Sequence, residues 1–219
     1  MSKPIPVLIG IDIGIKKNTG MAIYFPKKKK YHSIFSTNIF AGLAICKEWA
    51  NNEDYAVIFV VENSDLDSNV YGAGADLLSY IMKNRASISK GAWKKNLTRK
   101  IGQVLAWASN VGKNKGLAVS FIAQLEDLGY TVAQVSPSKR RKAGNVIKIG
   151  KTKTREKVST LPMPTKTTTP EFKELTGYEE KTNEHGRDAA TLVWKKTWMF
   201  WANWARTQNV TKTKKSKLK

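Results

Sequence analysis

Residues 4–13 read PIPVLIGIDI, an apolar and largely β-branched run that contains one acid, Asp12. Such a run predicts a β-strand, and the turn-forming residues 14–18 followed by TGMAIYF at 19–25 predict a second strand. Lysines 27–30 then suggest a hairpin into a third strand over residues 31–37. Burying an isolated carboxylate is costly unless it is paired or holds a metal, so Asp12 is the first candidate functional residue.

The rest of the chain alternates predicted strands and helices. YAVIFVVEN at 55–63 is continuously apolar, which indicates a central strand covered on both faces. Thr131 to Val135 is a further strand, closed by Ser136 and Pro137. Predicted helices run from a cap at Asn38 to Asn51, from about 94 to 128 with a break near 112–116, and from about 184 to 206. This order predicts a mixed α/β sheet with helical layers.

Composition restricts the class of partner. The 219 residues carry 38 Lys and Arg against 17 Asp and Glu, a net charge of +21, which favours a polyanion as partner. The single cysteine, Cys46, excludes an internal disulfide and a thiolate zinc site, and it fits a reducing cytoplasm. No signal-peptide layout and no apolar stretch of about 18 residues is present, so we expect no membrane association.

Three acids stand out because apolar residues surround them. Asp12 lies within IGIDIG, Glu62 ends IFVVE, and Asp188 opens DAATLVW. His185 precedes Asp188 by three positions, which puts both on one helix face. Each acid alone could be a solvated or salt-bridged residue at the end of an element, but together they suggest a metal cluster. Oxygen ligands with at most one imidazole suit Mg²⁺ or Mn²⁺, and two such ions about 4 Å apart can hydrolyse phosphodiesters.

These residues resemble a known family. The chain is similar to the RuvC-type Holliday junction resolvases of the RNase H-like superfamily over about residues 7–195, and a viral or mobile-element member is plausible. The matching positions are Asp12, Gly14, Thr19 and Gly20 in the first hairpin, Glu62 on the central strand, and His185, Asp188 and Ala189 on the late helix. The resemblance implies an RNase H-like mixed five-stranded sheet with helices on both faces. It also implies two metal ions held by Asp12, Glu62, His185 and Asp188.

The resemblance further implies a homodimer that binds four-way DNA junctions and cuts two strands symmetrically. It places basic residues near the scissile phosphate, and the nearest matches are Lys142, Lys153 and Arg155. Family members carry a junction-wedging aromatic after the central-strand Glu, and the first aromatic here is Tyr71. The run Lys139, Arg140, Arg141 and Lys142 follows a strand beside the predicted site, so we expect it to contact phosphates.

The predicted organisation is one nuclease domain over residues 1–206, with a Thr-, Pro- and Lys-rich loop at about 159–182, and a basic, disordered tail at 207–219. Two other functions stay open: a non-catalytic DNA-binding protein on a nuclease fold, and an RNase H-like nuclease acting on RNA–DNA hybrids. The helix that carries Trp194, Trp198 and Trp201 is predicted to pack in a core or dimer interface. The Lys27–Lys30 run is predicted to be a solvated hairpin tip.

Overall fold

A computed structural model gives the arrangement of the chain over residues 4–14, 19–63, 66, 79, 90–136, 146–149, 152–155 and 167–194. The strands are β1 (Ile5–Asp12), β2 (Thr19–Phe25), β3 (Lys30–Thr37), β4 (Tyr55–Glu62), β5 (Val132–Val135), β6 (Val146–Ile149) and β7 (Thr152–Arg155). The helices are α1 (Ile39–Asn51), α2 (Lys90–Asp127), α3 (Thr169–Thr176) and α4 (Glu184–Thr191). No helix among these residues is both long and apolar enough to cross a membrane.

The strands form one mixed sheet in the order β3-β2-β1-β4-β5-β6-β7. β1 lies in its interior, antiparallel to β2 and parallel to the central strand β4, and β5 continues the parallel part. The prediction of a mixed α/β sheet is therefore confirmed, but the predicted count of five strands is wrong. β6 and β7 form an antiparallel hairpin on the β5 edge. The five-strand prediction missed them because the high lysine content of this segment obscures its β-branched alternation.

Helices cover both faces of the sheet, as expected. On one face, α1 and the C-terminal part of α2 pack on the odd-numbered residues of β1, so that Ile9 and Ile11 contact a core that includes Cys46 and Phe121. On the other face, α3 and α4 cover Leu8 and the neighbouring strands. Burial of these side chains contributes about 25 cal/mol for each Å² of apolar surface removed from water.

Two strand glycines let α4 lie directly against the sheet. A Cβ on Gly10 would collide with the carbonyl oxygen of Ala189, and a Cβ on Gly20 would collide with the carbonyl oxygen of His185. No side chain separates the helix backbone from β1 and β2 at these two points. The position of α4 above the sheet is therefore fixed by backbone contact, which matters because α4 carries His185 and Asp188.

Most element bounds agree with the predictions, and the caps explain why. Asn38 caps α1 by accepting a hydrogen bond from the Ala41 amide at 2.9 Å. The predicted break in the long helix does not occur: α2 runs through Gly112 and Gly116. Neither glycine has a positive φ, and a helix interior tolerates glycine at a cost of about 1 kcal/mol relative to alanine.

Two predictions in the last third of the chain are wrong. The segment 159–182 was expected to be a loop, but residues 169–176 within it form α3, which begins with a capping box between Thr168 and Glu171 and is followed by Gly177 with φ 67°. The last helix was expected to reach 206, but α4 ends at Thr191. Tightened turns follow, in which the amides of Leu192 and Val193 donate to carbonyls three residues earlier.

The aromatic residue after α4 belongs to the core. Trp194 is 3% exposed and stacks on Tyr31, with ring centroids 5.2 Å apart and planes 8° from parallel. The Tyr31 hydroxyl in turn donates to the Ala190 carbonyl at 2.8 Å. The prediction that Trp194 packs in the core is confirmed, while Trp198, Trp201 and the 207–219 tail lie outside the described residues.

Candidate metal centre

Two of the predicted acids end neighbouring parallel strands on the same face of the sheet. Ile11 of β1 pairs with Val61 of β4, so Asp12 and Glu62 are the next residues in register. Side chains alternate between the faces of a strand, and Leu8 and Val60, which share parity with Asp12 and Glu62, belong to the core under α4. Both carboxylates therefore point to the α4 side at the carboxyl end of the sheet.

Helix α4 brings the histidine to this edge. Asn183 caps the helix by accepting a hydrogen bond from the Gly186 amide, and it also accepts one from the Ser36 hydroxyl of β3, both at 2.8 Å. The carbonyl of His185 sits on Gly20, which pairs with Asp12 across β1 and β2. His185 Nδ1 consequently lies 2.9 Å from Asp12 Oδ2.

The His185–Asp12 contact changes the proton affinity of the imidazole. The hydrogen bond to Asp12 raises the pKa of His185 above its ordinary 6.5, although partial burial opposes the shift. The negative charges of Asp12, Asp188 and Glu184 raise this pKa further. His185 is 40% exposed and Asp12 is 13% exposed, so the pair is open to solvent from the histidine side. Asp188 is thus close enough to act on the same group.

Titration of His185 provides a test of this geometry. In metal-free protein, the midpoint followed by NMR of the imidazole should lie above 6.5 and should fall in Asp12→Asn, because the neutral amide removes the negative charge. Since the folded pKa is raised, the pair stabilises the fold fully below the unfolded pKa and loses that contribution as pH rises through the folded value. An unchanged midpoint in Asp12→Asn would contradict the pairing.

The donor set suits an oxygen-preferring cation, but the described side chains are not gathered around one point. Asp12, Glu62 and Asp188 offer carboxylates and His185 one imidazole, a combination typical of Mg²⁺ or Mn²⁺ rather than Zn²⁺. Within the described part of the chain, no three His, Cys, Asp or Glu side chains lie together as a metal-binding group. The arrangement instead pairs Asp12 with His185, so joint ligation would require their hydrogen bond to open.

A buried polar chain lies directly behind the β4 carboxylate, on the α2 face. Asn63 follows Glu62, and its side-chain amide donates to Gln134 Oε1 at 2.9 Å. Gln134 then donates to Glu126 of α2 at 3.1 Å. Asn63 is 5% and Gln134 3% exposed, and the backbone N–H of Asn63 donates to the Val135 carbonyl at 2.7 Å. These bonds fix the end of β4 from which Glu62 projects.

Replacing Gln134 alone should lower the free energy of unfolding more than replacing Asn63 and Gln134 together. Gln134→Leu removes the oxygen that accepts from the buried Asn63 side chain and should lower the free energy of unfolding by about 1–3 kcal/mol. The double variant Asn63→Leu/Gln134→Leu should recover part of the loss, since two apolar groups can replace a hydrogen-bonded pair at little cost. Urea unfolding of wild type, Asn63→Leu, Gln134→Leu and the double variant measures the coupling energy between the two side chains. Strictly additive losses of stability would contradict the hydrogen bond between them.

A second structural residue, Arg187, was not anticipated from the sequence. Its Nε donates to the Thr167 carbonyl at 2.9 Å, and Nη1 donates to the Thr169 hydroxyl and the Thr182 carbonyl, both at 3.1 Å. Arg187 therefore ties both ends of the segment 167–182 to α4. In a chain with so many basic residues, no sequence signal separates this arginine from those that face solvent.

The predicted DNA contacts lie mostly beyond the described residues. Tyr71 and the run Lys139, Arg140, Arg141 and Lys142 fall outside them. Lys153 and Arg155 lie on β7, at the far edge of the sheet from β1. β5 and β6 stand between β7 and the strand that carries Glu62. Lys153 and Arg155 therefore do not lie on a strand next to those that carry the carboxylates.

Comparison with known proteins adds no identification. Neither protein-family models, nor curated proteins, nor solved structures gave a significant match to this chain.

Proposed function

We propose that this chain is a divalent-metal-dependent endonuclease of the RuvC-type, RNase H-like kind, which resolves four-way DNA junctions. The observation that carries the proposal is the juxtaposition of Asp12 and Glu62, on adjacent strand ends, with His185 of α4 at 2.9 Å from Asp12. Its net charge of +21 makes a polyanionic substrate the natural one. The sequence resemblance supplies the choice of junction DNA.

Each residue has a role in the proposed hydrolysis. Asp12, Glu62, Asp188 and His185 would hold the cations, which when bound supply an activated water and neutralise charge on the phosphate. His185 would leave Asp12 when the carboxylate is engaged. The backbone contacts at Gly10 and Gly20 keep α4 at a fixed height above the strands, so the ligands from helix and sheet keep their relative positions.

Symmetric cutting of a junction requires two centres, so the proposal includes a homodimer. Helix α2 offers a surface for it: Ile101 and Leu105 lie one turn apart and are 38% and 64% exposed. The 38 residues of α2 span about 57 Å, and its described buried contacts with the sheet come from the C-terminal part, from Ala118 onward. A second copy would pack on Ile101 and Leu105.

A non-catalytic DNA-binding protein on the same fold is the second candidate. The observation that favours it is the closed His185–Asp12 pair, together with the lack of a three-ligand group among the described side chains. A protein of this kind would use the basic charge for binding and keep the pair as a structural contact. The RNase H-like activity on RNA–DNA hybrids differs from the main proposal in substrate only.

One experiment separates the three. The protein is incubated with a four-way junction, a Y-shaped DNA, a linear duplex and an RNA–DNA hybrid, with Mg²⁺, Mn²⁺ or EDTA. The proposal expects symmetric nicks in the four-way junction, dependent on the cation. Cutting of the hybrid alone would assign the RNase H-like activity, and binding without cutting under every condition would assign the non-catalytic function.

A further inference from the structure

A cluster of four aromatic rings lies at the opposite end of the sheet from the candidate metal centre. Phe25 ends β2, His32 lies on β3, Trp49 is near the end of α1, and Tyr55 begins β4. His32 and Trp49 have centroids 5.4 Å apart, and Trp49 and Tyr55 stack at 5.0 Å with an angle of 30°. Phe25 contacts the other three at 5.9–6.2 Å. We call these residues the aromatic patch.

The aromatic patch is anchored in the core yet open to solvent. Phe25, Trp49 and Tyr55 are half-buried and pack against the core between the sheet and α1, whereas His32 is exposed. Anchoring limits the rotation of the rings, so little conformational freedom remains to be lost on binding. Part of each of these side chains is accessible to solvent, most of all for His32, and our proposal is that a planar group covers this part.

Opposite charges flank the aromatic patch. On the hairpin side, Lys27, Lys28, Lys29 and Lys30 are all exposed, and Lys28 Nζ lies 5.4 Å from the centroid of Phe25. Lys29 has φ 51°, which the tight turn imposes. Exposed acids lie at the end of α1 and in the turn before Tyr55: Glu48, Glu53 and Asp54. A bound polyanion would therefore put its phosphates toward the lysines.

This charge pattern selects among nucleic acids. A single strand carries phosphates along one side and unpaired bases along the other, so it can meet the lysines and the rings together. A duplex hides its base faces and would gain only from the lysines, while its second backbone would approach the acids. The pattern thus fits a single strand and gives no advantage to a duplex.

The aromatic patch is separate from the candidate metal centre. Tyr55 pairs with Ile5 at the start of β1, whereas Asp12 ends the same strand. The eight residues of β1 are separated by seven steps of about 3.3 Å, so its two ends lie roughly 23 Å apart. Phe25 also points to the α1 face of the sheet, and Asp12 points to the α4 face. A ligand of the size of one nucleotide would not occupy both.

We propose that the aromatic patch and the Lys27–Lys30 turn form a second nucleic-acid site, which binds single-stranded DNA or RNA by stacking bases on the rings and pairing phosphates with the lysines. The site does not depend on catalysis, so it goes beyond the nuclease function. In a protein acting on branched DNA, such a site would hold an unpaired segment away from the centre that carries Asp12.

The test measures binding in EDTA, where no cutting can occur. A labelled oligothymidylate of about 16 nucleotides and a duplex of equal length are titrated with wild type, His32→Ala and Trp49→Leu. Loss of one stacked base should weaken single-strand binding about tenfold while leaving duplex binding within about twofold. Phe40→Ala is the matched control, because Phe40 is an 81% exposed aromatic on α1 outside the aromatic patch. It should bind like wild type.

The lysines are tested by changing all four to Gln. This variant should weaken single-strand binding and reduce its dependence on salt concentration, whereas Lys113→Gln/Lys115→Gln on α2 should leave oligothymidylate binding unchanged. Equal losses on single strand and duplex for His32→Ala, or no measurable oligothymidylate binding by wild type, would overturn the proposal. Melting curves show whether each variant is folded. If Trp49→Leu is unfolded, His32→Ala alone provides the test of stacking. Junction cutting with Mg²⁺ is measured separately, so its failure would remove the nuclease proposal alone.

Discussion

Asp12→Asn should reduce junction cutting by about a thousandfold or more, equivalent to about 4 kcal/mol of lost transition-state stabilisation. The amide keeps the size of the side chain but removes the charge that a cation needs. Asp188→Asn should have the same effect, because the proposed function makes Asp188 a ligand of the same cations. Cutting is followed in Mg²⁺ with the protein in saturating excess over a labelled junction, so that a change in junction affinity does not enter the rate.

Binding provides the control for this loss. Junction affinity in EDTA should stay at or above the wild-type value in both variants, because each removes a negative charge facing the polyanion. Glu174→Gln, on the exposed surface of α3, is the matched charge-removal variant and should cut at the wild-type rate. Near-normal turnover in Asp12→Asn would contradict the proposed metal centre, whatever the affinity of this variant for the junction.

Gly10→Ala should lower the free energy of unfolding by about 3 kcal/mol, the upper end of the usual cost of overpacking a core. The added Cβ meets the carbonyl oxygen of Ala189, which belongs to the α4 backbone and cannot rotate away as a side chain would. For a chain of this size the loss corresponds to a fall in Tm of roughly 6–12 °C. Gly20→Ala should be at least as damaging, since its Cβ would displace His185.

Gly116→Ala is the matched control for the two strand glycines. Nothing lies within 4 Å of a Cβ at Gly116, so alanine there should stabilise α2 by up to about 1 kcal/mol. Glycine to alanine should therefore lower the free energy of unfolding at Gly10 and raise it at Gly116. If Gly10→Ala melts like wild type, α4 does not rest on the sheet through backbone contact. Retention of the raised His185 pKa in Gly20→Ala would likewise argue against the contact.

Local signals in the sequence were sufficient for most of the sheet. The apolar runs of β1 and β4 and the turn before β2 predict the central strands, and Asn38 predicts the start of α1. The same runs single out Asp12 and Glu62, because an acid inside an apolar strand is conspicuous. His185 and Asp188 follow from helical spacing alone, and the cap at Asn183 that orients them is also a local signal.

Features that depend on distant contacts could not be predicted in this way. β6 has only four residues, VIKI, and β7 alternates threonine with a basic residue, a pattern that is also compatible with a loop. The Thr168–Glu171 capping box with Pro170 was a readable signal for α3, but the surrounding Thr- and Pro-rich composition outweighed it. The Asn63–Gln134–Glu126 chain joins residues far apart in sequence, so only the register of β4 and β5 reveals it.

The separation of Asp12 and His185 by 173 positions has a consequence for synthesis of the protein. At about 5–20 residues per second, a ribosome needs roughly 9–35 s between making the first member of the pair and the second. During this interval β1, β2 and β3 can already fold as a meander, but the edge that carries Asp12 has no α4 to rest on it. The nascent chain therefore lacks the Asp12–His185 pair until α4 has been translated.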